Sequence, residues 1–273
     1  MRNPTALAVV LLSSVLLGCS DAAEPVPVDR TLSITNGTPT GPAYGAVGAL
    51  LFDYNDDGVL DEDDQWCTGT LIAPTVFLTA AHCVYPDPDH PLGSQFHVSF
   101  APDLAAGNLQ TIAAVRYEWD PKYGNSQAKL HDLAIVTLPA AATAGIPPAA
   151  LPPAGALERR RARGTLFVNV GYGASTRSRG RPEFEYGGLR RMSRSPFLSL
   201  QPNWLRLQIN TNATGLGGDC FGDSGGPKYL EGDPRTIYAI VSGGDAVCRA
   251  TSENWRLDTP AARGFLGRFV PLP

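Results

Sequence analysis

The chain lacks an apolar run long enough to span a membrane comfortably, any evident internal repeat, a Cys-x-x-Cys pair and a basic excess. Its N-terminal apolar stretch, Ala6 to Leu17, falls short of the roughly 20 residues a spanning helix needs. Without Cys-x-x-Cys, the cysteines do not suggest redox work. The net charge of −4 gives no electrostatic footprint for nucleic acid, so no nucleic-acid partner is expected. Long helices are not suggested either. With 29 glycines and 24 prolines beside 43% hydrophobic residues, the composition favours many turns and short strands. The 273 residues suffice for one large all-β unit or two small domains, with a sizeable core.

The start of the chain reads as an export signal over residues 1–18. Arg2 gives a positive start, and Ala6 to Leu17 has the length of a signal h-region. Leu16-Leu17-Gly18-Cys19 resembles a bacterial lipobox, which implies cleavage before Cys19 and lipidation of its thiol. Membrane attachment through Cys19, facing the periplasm or the cell exterior, is therefore expected. Residues 19–33 read as a polar tether or propeptide, with Pro25 and Pro27. With Cys19 set aside, four cysteines remain. Cys67 and Cys83 flank one histidine block, and Cys220 and Cys248 flank one serine block. An exported chain can keep two bridges, and four cysteines allow three pairings.

Three blocks carry chemistry. Gly222-Asp223-Ser224-Gly225-Gly226-Pro227 presents a serine in a glycine-rich turn. A serine hydroxyl is a poor nucleophile at neutral pH and needs a neighbouring base. His82, in Thr79-Ala80-Ala81-His82-Cys83, offers that base. A carboxylate must then hold the imidazole and stabilise its charged form. Asp132 stands at the head of the apolar run Leu133-Ala134-Ile135-Val136 and offers one. The order His, Asp, Ser differs from that of subtilisins and α/β-hydrolases.

On these blocks, together with Cys67-Thr68-Gly69-Thr70-Leu71-Ile72 and Asp219 through Pro227, the sequence resembles the trypsin/chymotrypsin family from about Ile34 to the C-terminus. The resemblance implies an all-β fold: two six-stranded antiparallel Greek-key barrels, the active site between them and a short C-terminal helix. Barrel one would cover about 34–140, barrel two about 157–258, and the helix about 259–270. It selects the pairings Cys67 with Cys83 and Cys220 with Cys248. It implies a serine endopeptidase, with Ser224 as nucleophile, His82 as base and then acid, and Asp132 as orienting carboxylate. Gly222 and Ser224 would supply the oxyanion N–H groups. Ser242-Gly243-Gly244 would pair with an extended polypeptide substrate. Ile34 resembles the family's mature N-terminus, whose amine pairs with the aspartate here numbered Asp223. No trypsin-like cut would free it, because Ser33 precedes it. Another processing enzyme cutting there would release the protein from a lipid anchor; otherwise the chain is active uncut.

Specificity stays open. Gly218 stands where trypsins carry an acid, and Asp219 follows it. If Asp219 points into the pocket, a Lys or Arg side chain finds a counter-charge, which we take as the leading expectation. Otherwise the pocket is neutral and favours an apolar residue. Asp245 and Glu253 are weaker candidates for the same task.

Strands are expected at Ala46 to Phe52, Trp66 to Ile72, Val76 to Ala80, Phe96 to Phe100, Ile112 to Tyr117, Leu133 to Leu138, Leu166 to Val170, Trp204 to Ile209 and Ile237 to Val241. Thr259 and Pro260 open the C-terminal helix. The arginines at 159–161, 163, 177, 179, 181, 190, 191 and 194 read as solvated surface loops.

Asp53 to Asp64 has the spacing of an EF-hand-type loop. Asp53, Asn55 and Asp57 take positions one, three and five, Gly58 the sharp turn at six, Val59 a carbonyl at seven, Asp61 nine and Asp64 twelve. Oxygen ligands at that spacing suit calcium in a structural role, and no cofactor is required for the chemistry. Two other functions stay in view. One is a non-catalytic, membrane-tethered binding protein on a peptidase scaffold; the other is esterase activity at the same site. A monomer is expected.

Overall fold

The structure is a computed structural model. It describes residues 1, 33–87, 91, 93–107, 109–124, 130–159, 164–176, 181 and 183–273. The export signal, Cys19 and most of the tether lie outside the described residues, as do the arginines at 160, 161, 163, 177 and 179. No helix among the described residues is long and apolar enough to cross a membrane.

Sixteen strands are described: β1 (Thr38–Pro39), β2 (Val47–Leu51), β3 (Gln65–Ala73), β4 (Val76–Thr79), β5 (His97–Ser99), β6 (Ile112–Ala113), β7 (Arg116–Trp119), β8 (Ala134–Thr137), β9 (Leu166–Gly171), β10 (Ser175–Thr176), β11 (Phe184–Glu185), β12 (Arg191–Leu200), β13 (Trp204–Gln208), β14 (Pro227–Leu230), β15 (Asp233–Gly244) and β16 (Thr251–Arg256). They form two large antiparallel sheets and the small β10–β11 pair. One sheet runs β6-β5-β2-β3-β4-β8-β7 and stays open as a half-barrel. The other runs β12-β13-β16-β15-β14-β9 and closes, because β12 also pairs with β9 from Arg191↔Gly171 to Pro196↔Leu166. The fold is therefore the expected all-β double barrel, one barrel closed and the other a half-barrel. β1 precedes the first sheet in the chain, yet it pairs with β12 of the second.

Apolar side chains account for the strands read from sequence. Val47, Ala49, Leu50 and Leu51 of β2 and Phe77 and Leu78 of β4 are wholly buried, and they pack with Leu71, Phe96 and Val136. Burial at about 25 cal/mol per Å² of apolar surface drives this packing. The expected strand Ile112 to Tyr117 is split into β6 and β7, with Ala114 and Val115 between them.

Besides the two-residue β1, β10 and β11, three longer strands escaped the apolar pattern: β12, β14 and β16. β12 and β16 bury polar residues: Ser193, Ser195, Ser252 and Asn254 all lie inside. Partners on the neighbouring strands β9 and β13 receive Ser193, Ser195 and Asn254. Asn169 Nδ2 donates to Ser193 Oγ at 2.9 Å and to Ser195 Oγ at 2.8 Å, and Asn254 Nδ2 donates to the Leu205 carbonyl at 3.1 Å. β14 follows the serine block directly.

The arginine stretch also differs from its reading as solvated loops. Arg190 is 2% exposed and Arg191 is buried. The Arg190 guanidinium donates to the carbonyls of Gly41, Ala43, Val47 and Phe100 at 2.9 to 3.2 Å. Its fixed fork of donors gathers backbone from two loops and β2.

The C-terminal helix spans Pro260–Leu266, shorter than the sequence suggested. The Thr259 hydroxyl accepts the Ala262 N–H at 3.2 Å, and Pro260 opens the first turn. Phe265 and Leu266 face the core.

Candidate active site

A cleft of about 720 Å³ is lined by residues of both sheets, among them His82, Ser224, Asp219, Ser242, Gly243 and Gly244. His82 sits in the short turn Ala81–Cys83 that follows β4. Asp132 precedes β8, the strand that pairs with β4. That pairing brings residues fifty apart together. His82 Nδ1 lies 2.8 Å from Asp132 Oδ2, and the His82 backbone N–H donates to Asp132 Oδ1 at 3.0 Å. Asp132 is fully buried, whereas the His82 side chain is 32% exposed and faces the cleft.

The electrostatics follow from burial and pairing. Burial alone would depress the His82 pKa, but the Asp132 charge and hydrogen bond outweigh it, and the value lies above the ordinary 6.5. Burial would raise the Asp132 pKa. The His82 charge, and hydrogen bonds from His82 and Ser242, hold it below 3.8 instead. The Ser242 bond was not foreseen. Sequence reading placed Ser242 on a substrate-pairing strand, but its hydroxyl also donates to Asp132 Oδ2 at 2.5 Å.

The Ser224 turn is gripped from both sheets. The Thr68 N–H of β3 donates to the Ser224 carbonyl at 2.8 Å. Gln65 Nε2 and Thr68 Oγ1 both donate to the Gly222 carbonyl at 2.9 Å. From β15, Val241 accepts from Gly225 N–H at 2.8 Å and donates to the Gly226 carbonyl at 2.9 Å. Gly222 takes φ +88°, a left-handed conformation that favours glycine. Among the described residues, neither the Gly222 N–H nor the Ser224 N–H has a protein acceptor.

Two disulfides brace this geometry, with the pairings the resemblance implied. Cys67–Cys83 ties β3 to the His82 turn, and Cys220–Cys248 joins two walls of the cleft. Cys67, His82 and Cys83 lie close together, but both sulfurs are in the disulfide, so no thiolate is there to ligate a metal.

Ile34 and Asp223 meet a common neighbour. The Ile34 N–H donates to the Gly173 carbonyl at 3.4 Å, and the Gly173 N–H donates to Asp223 Oδ1 at 2.8 Å. The Cys220 N–H takes the other Asp223 oxygen at 2.8 Å. Ile34 is fully buried although its nitrogen is still part of a peptide bond. Burial, and after it the charge of Asp219, push the Asp223 pKa up to about 7.

Asp219 lines the cleft as sequence suggested, but it is engaged. Lys228 Nζ lies 2.5 Å from its Oδ1, and Ser252 Oγ donates to its Oδ2 at 2.7 Å. Lys228 is wholly buried. Sequence reading missed it; the one signal was a lone lysine next to Pro227, Tyr229 and Leu230, directly after the serine block.

The acidic loop joins β2 to β3 and borders the cleft through Tyr54, Glu62, Asp63 and Asp64. Its backbone folds around its own side chains. Asp53 Oδ2 accepts the Gly58 N–H at 3.1 Å, Asn55 Oδ1 the Asp57 N–H at 3.0 Å, and Asp57 Oδ1 the Val59 N–H at 2.8 Å. Asp64 is buried and accepts from the Tyr54 and Asp61 N–H groups, both at 3.1 Å. Asp61 caps the short turn Glu62–Asp64. Asp53 Oδ1 is buried without a hydrogen-bond partner.

Comparison with known proteins agrees with this architecture. The trypsin family model matches residues 52–259, and the chain belongs to that family. Spermosin of Halocynthia roretzi is 25% identical over 234 residues, covering 79% of this chain and 55% of that protein. The chain thus spans about half the length of this curated relative. Among solved structures, HL collagenase superposes with a TM-score of 0.62 at 19% identity, over 86% of this chain and 97% of that one. Human heparin binding protein superposes with a TM-score of 0.61 at 19% identity, over 88% and 100%. At such identity these two show the fold alone.

Proposed function

We propose that the chain is an exported serine endopeptidase that cleaves polypeptides through an acyl-enzyme. The observation that carries this reading is the His82–Asp132 pair at 2.8 Å, facing the cleft that also holds Ser224. Asp132 fixes the imidazole so that the other ring nitrogen faces the cleft and accepts the Ser224 proton. The serine oxygen then attacks the scissile carbonyl. The Gly222 and Ser224 N–H groups receive the developing oxyanion, and His82 returns the proton to the leaving amine. Water repeats the sequence to release the acyl group. Ser242, Gly243 and Gly244 extend β15 along the cleft, where an extended substrate adds as a strand.

Processing before Ile34 would release an ammonium beside Gly173, whose own N–H binds the Asp223 carboxylate. That charge would offset the burial of Asp223. With a lipid at Cys19, the same cut would free the enzyme from a bacterial membrane. The two disulfides fit an oxidising compartment.

The acidic loop is read as a structural calcium site. Its fit rests on the orphaned Asp53 Oδ1 and on a backbone already turned around positions one, three, five and six. Asp53, Asn55, Asp57, the Val59 carbonyl, Asp61 and Asp64 would hold the ion, which orders the loop and takes no part in the chemistry.

The test is hydrolysis of a peptide library by the mature chain and by a chain beginning at Ile34, with Ser224→Ala as control. Cleavage lost in the variant supports an endopeptidase. Absence of cleavage from both forms would favour a non-catalytic binding protein, and cleavage of esters alone would favour an esterase.

A further inference from the structure

Building on the endopeptidase reading, we propose that Lys228, through its ion pair with Asp219, sets the pocket to take an uncharged apolar side chain before the scissile bond in place of Lys or Arg. A cationic side chain is taken into a buried pocket when a free carboxylate receives it. The three acids that the sequence offered for that part are all engaged. Both Asp219 oxygens are used, one by Lys228 Nζ at 2.5 Å and one by Ser252 Oγ at 2.7 Å. Asp245 turns into its own loop and accepts the N–H groups of Arg249, Ala250 and Thr251 at 3.0, 2.8 and 2.8 Å. Glu253 pairs with Arg206 at 2.6 Å.

Lys228 cannot easily step aside. It is 0% exposed in the strand behind the pocket, and a buried ammonium without its partner is strongly unfavourable. A substrate guanidinium would therefore compete with an intramolecular cation that is already in place.

Apolar groups stand beside Asp219 in the same lining: Ile209, Val241 and the Cys220–Cys248 bridge. A Cβ at Gly218 would sit 2.1 Å from Ile209 Cγ2, so Ile209 closes against the position where a free acid was sought. A Cβ at Gly243 would meet nothing within 4 Å, which leaves the cleft open to large side chains.

Two measurements test this and separate it from the catalytic reading. With the unaltered enzyme, anilide substrates bearing Phe or Leu before the scissile bond are expected to exceed the Arg substrate by about tenfold or more in kcat/KM. An Arg preference overturns the proposal. Independently of catalysis, Ser224→Ala protein is titrated calorimetrically with benzamidine, a cationic probe of the pocket. No binding is expected at millimolar benzamidine, and binding is expected once Lys228→Met is added. Binding by the Ser224→Ala protein, or none after Lys228→Met in a folded protein, overturns the proposal. If Lys228→Met does not fold, Asp219→Asn with Lys228→Met removes both charges; it is expected to keep the apolar preference and to ignore benzamidine, and a turn to Arg overturns the proposal. If the enzyme cleaves nothing while the benzamidine results hold, the catalytic reading fails and the pocket assignment stands.

Discussion

Asp132 holds His82 at two points: one carboxylate oxygen lies 2.8 Å from the ring nitrogen, and the other accepts the histidine's own backbone N–H at 3.0 Å. Ring and backbone are thus referenced to the same buried charge. Replacing Asp132 by Asn keeps the shape but offers the imidazole the wrong partner. A loss of about 10⁴ in kcat is expected, from steady-state kinetics on a peptide substrate. Retention within about tenfold of the original rate would contradict the assigned role.

The base must be neutral to accept the serine proton. Because Asp132 raises the His82 pKa above 6.5, the acid limb of kcat/KM is expected to lie above that value, with activity lost as pH falls through it. Ser242→Ala removes one hydrogen bond that stabilises the charged form of Asp132. It is expected to reduce kcat/KM by about 10- to 100-fold, the range for a hydrogen bond to a charged group. A pH–rate profile of both proteins checks both statements.

The proposed cut before Ile34 would carry a pH signature through Asp223. Its folded pKa of about 7 lies above the ordinary 3.8, so folding favours its protonated form. The associated stability is full below about pH 4 and is lost as pH rises toward 7. An Ile34 ammonium would favour the charged form and remove this loss. The chain beginning at Ile34 should therefore gain Tm over the uncut chain, by more at pH 7 than at pH 5. An equal difference at both values would count against the pairing of Ile34 with Asp223.

For the acidic loop, chelation is expected to lower Tm, and added calcium to restore it, since a ligand bound only to the folded state stabilises it by mass action. Asp57→Ala should abolish the response. Thermal melts that are indifferent to chelator and to calcium, with unchanged activity, would remove the site.

Arg190 supplies a test of the fold itself. Arg190→Met leaves the carbonyls of Val47, Phe100, Gly41 and Ala43 short of a donor. A destabilisation of about 3 kcal/mol is expected, or about 6–12 °C in Tm. Unchanged melting would mean that the network carries no net stability.

The residues proposed for the chemistry stood out in the sequence because their types and local context are restrictive. A serine between Asp223 and Gly225, and a histidine before Cys83, have few other uses together. Strands with apolar faces, such as β2 and β4, were legible for the same reason. β12 and β16 were not, because their inward residues Ser193, Ser195, Ser252 and Asn254 are polar and take partners distant in sequence. Arg190 read as surface because its carbonyl partners lie 90 or more residues away. Lys228 read as nothing at all. Its meaning depends on Asp219 and Ser252 arriving from other segments, which composition and spacing do not reveal.

The most direct measurement is fluorophosphonate labelling of the mature protein and of the chain beginning at Ile34, with Ser224→Ala as control. The account predicts stoichiometric labelling of at least one form, at Ser224, that vanishes in the variant. Folded protein that stays unlabelled in both forms would contradict it, because His82 and Asp132 would then fail to activate Ser224.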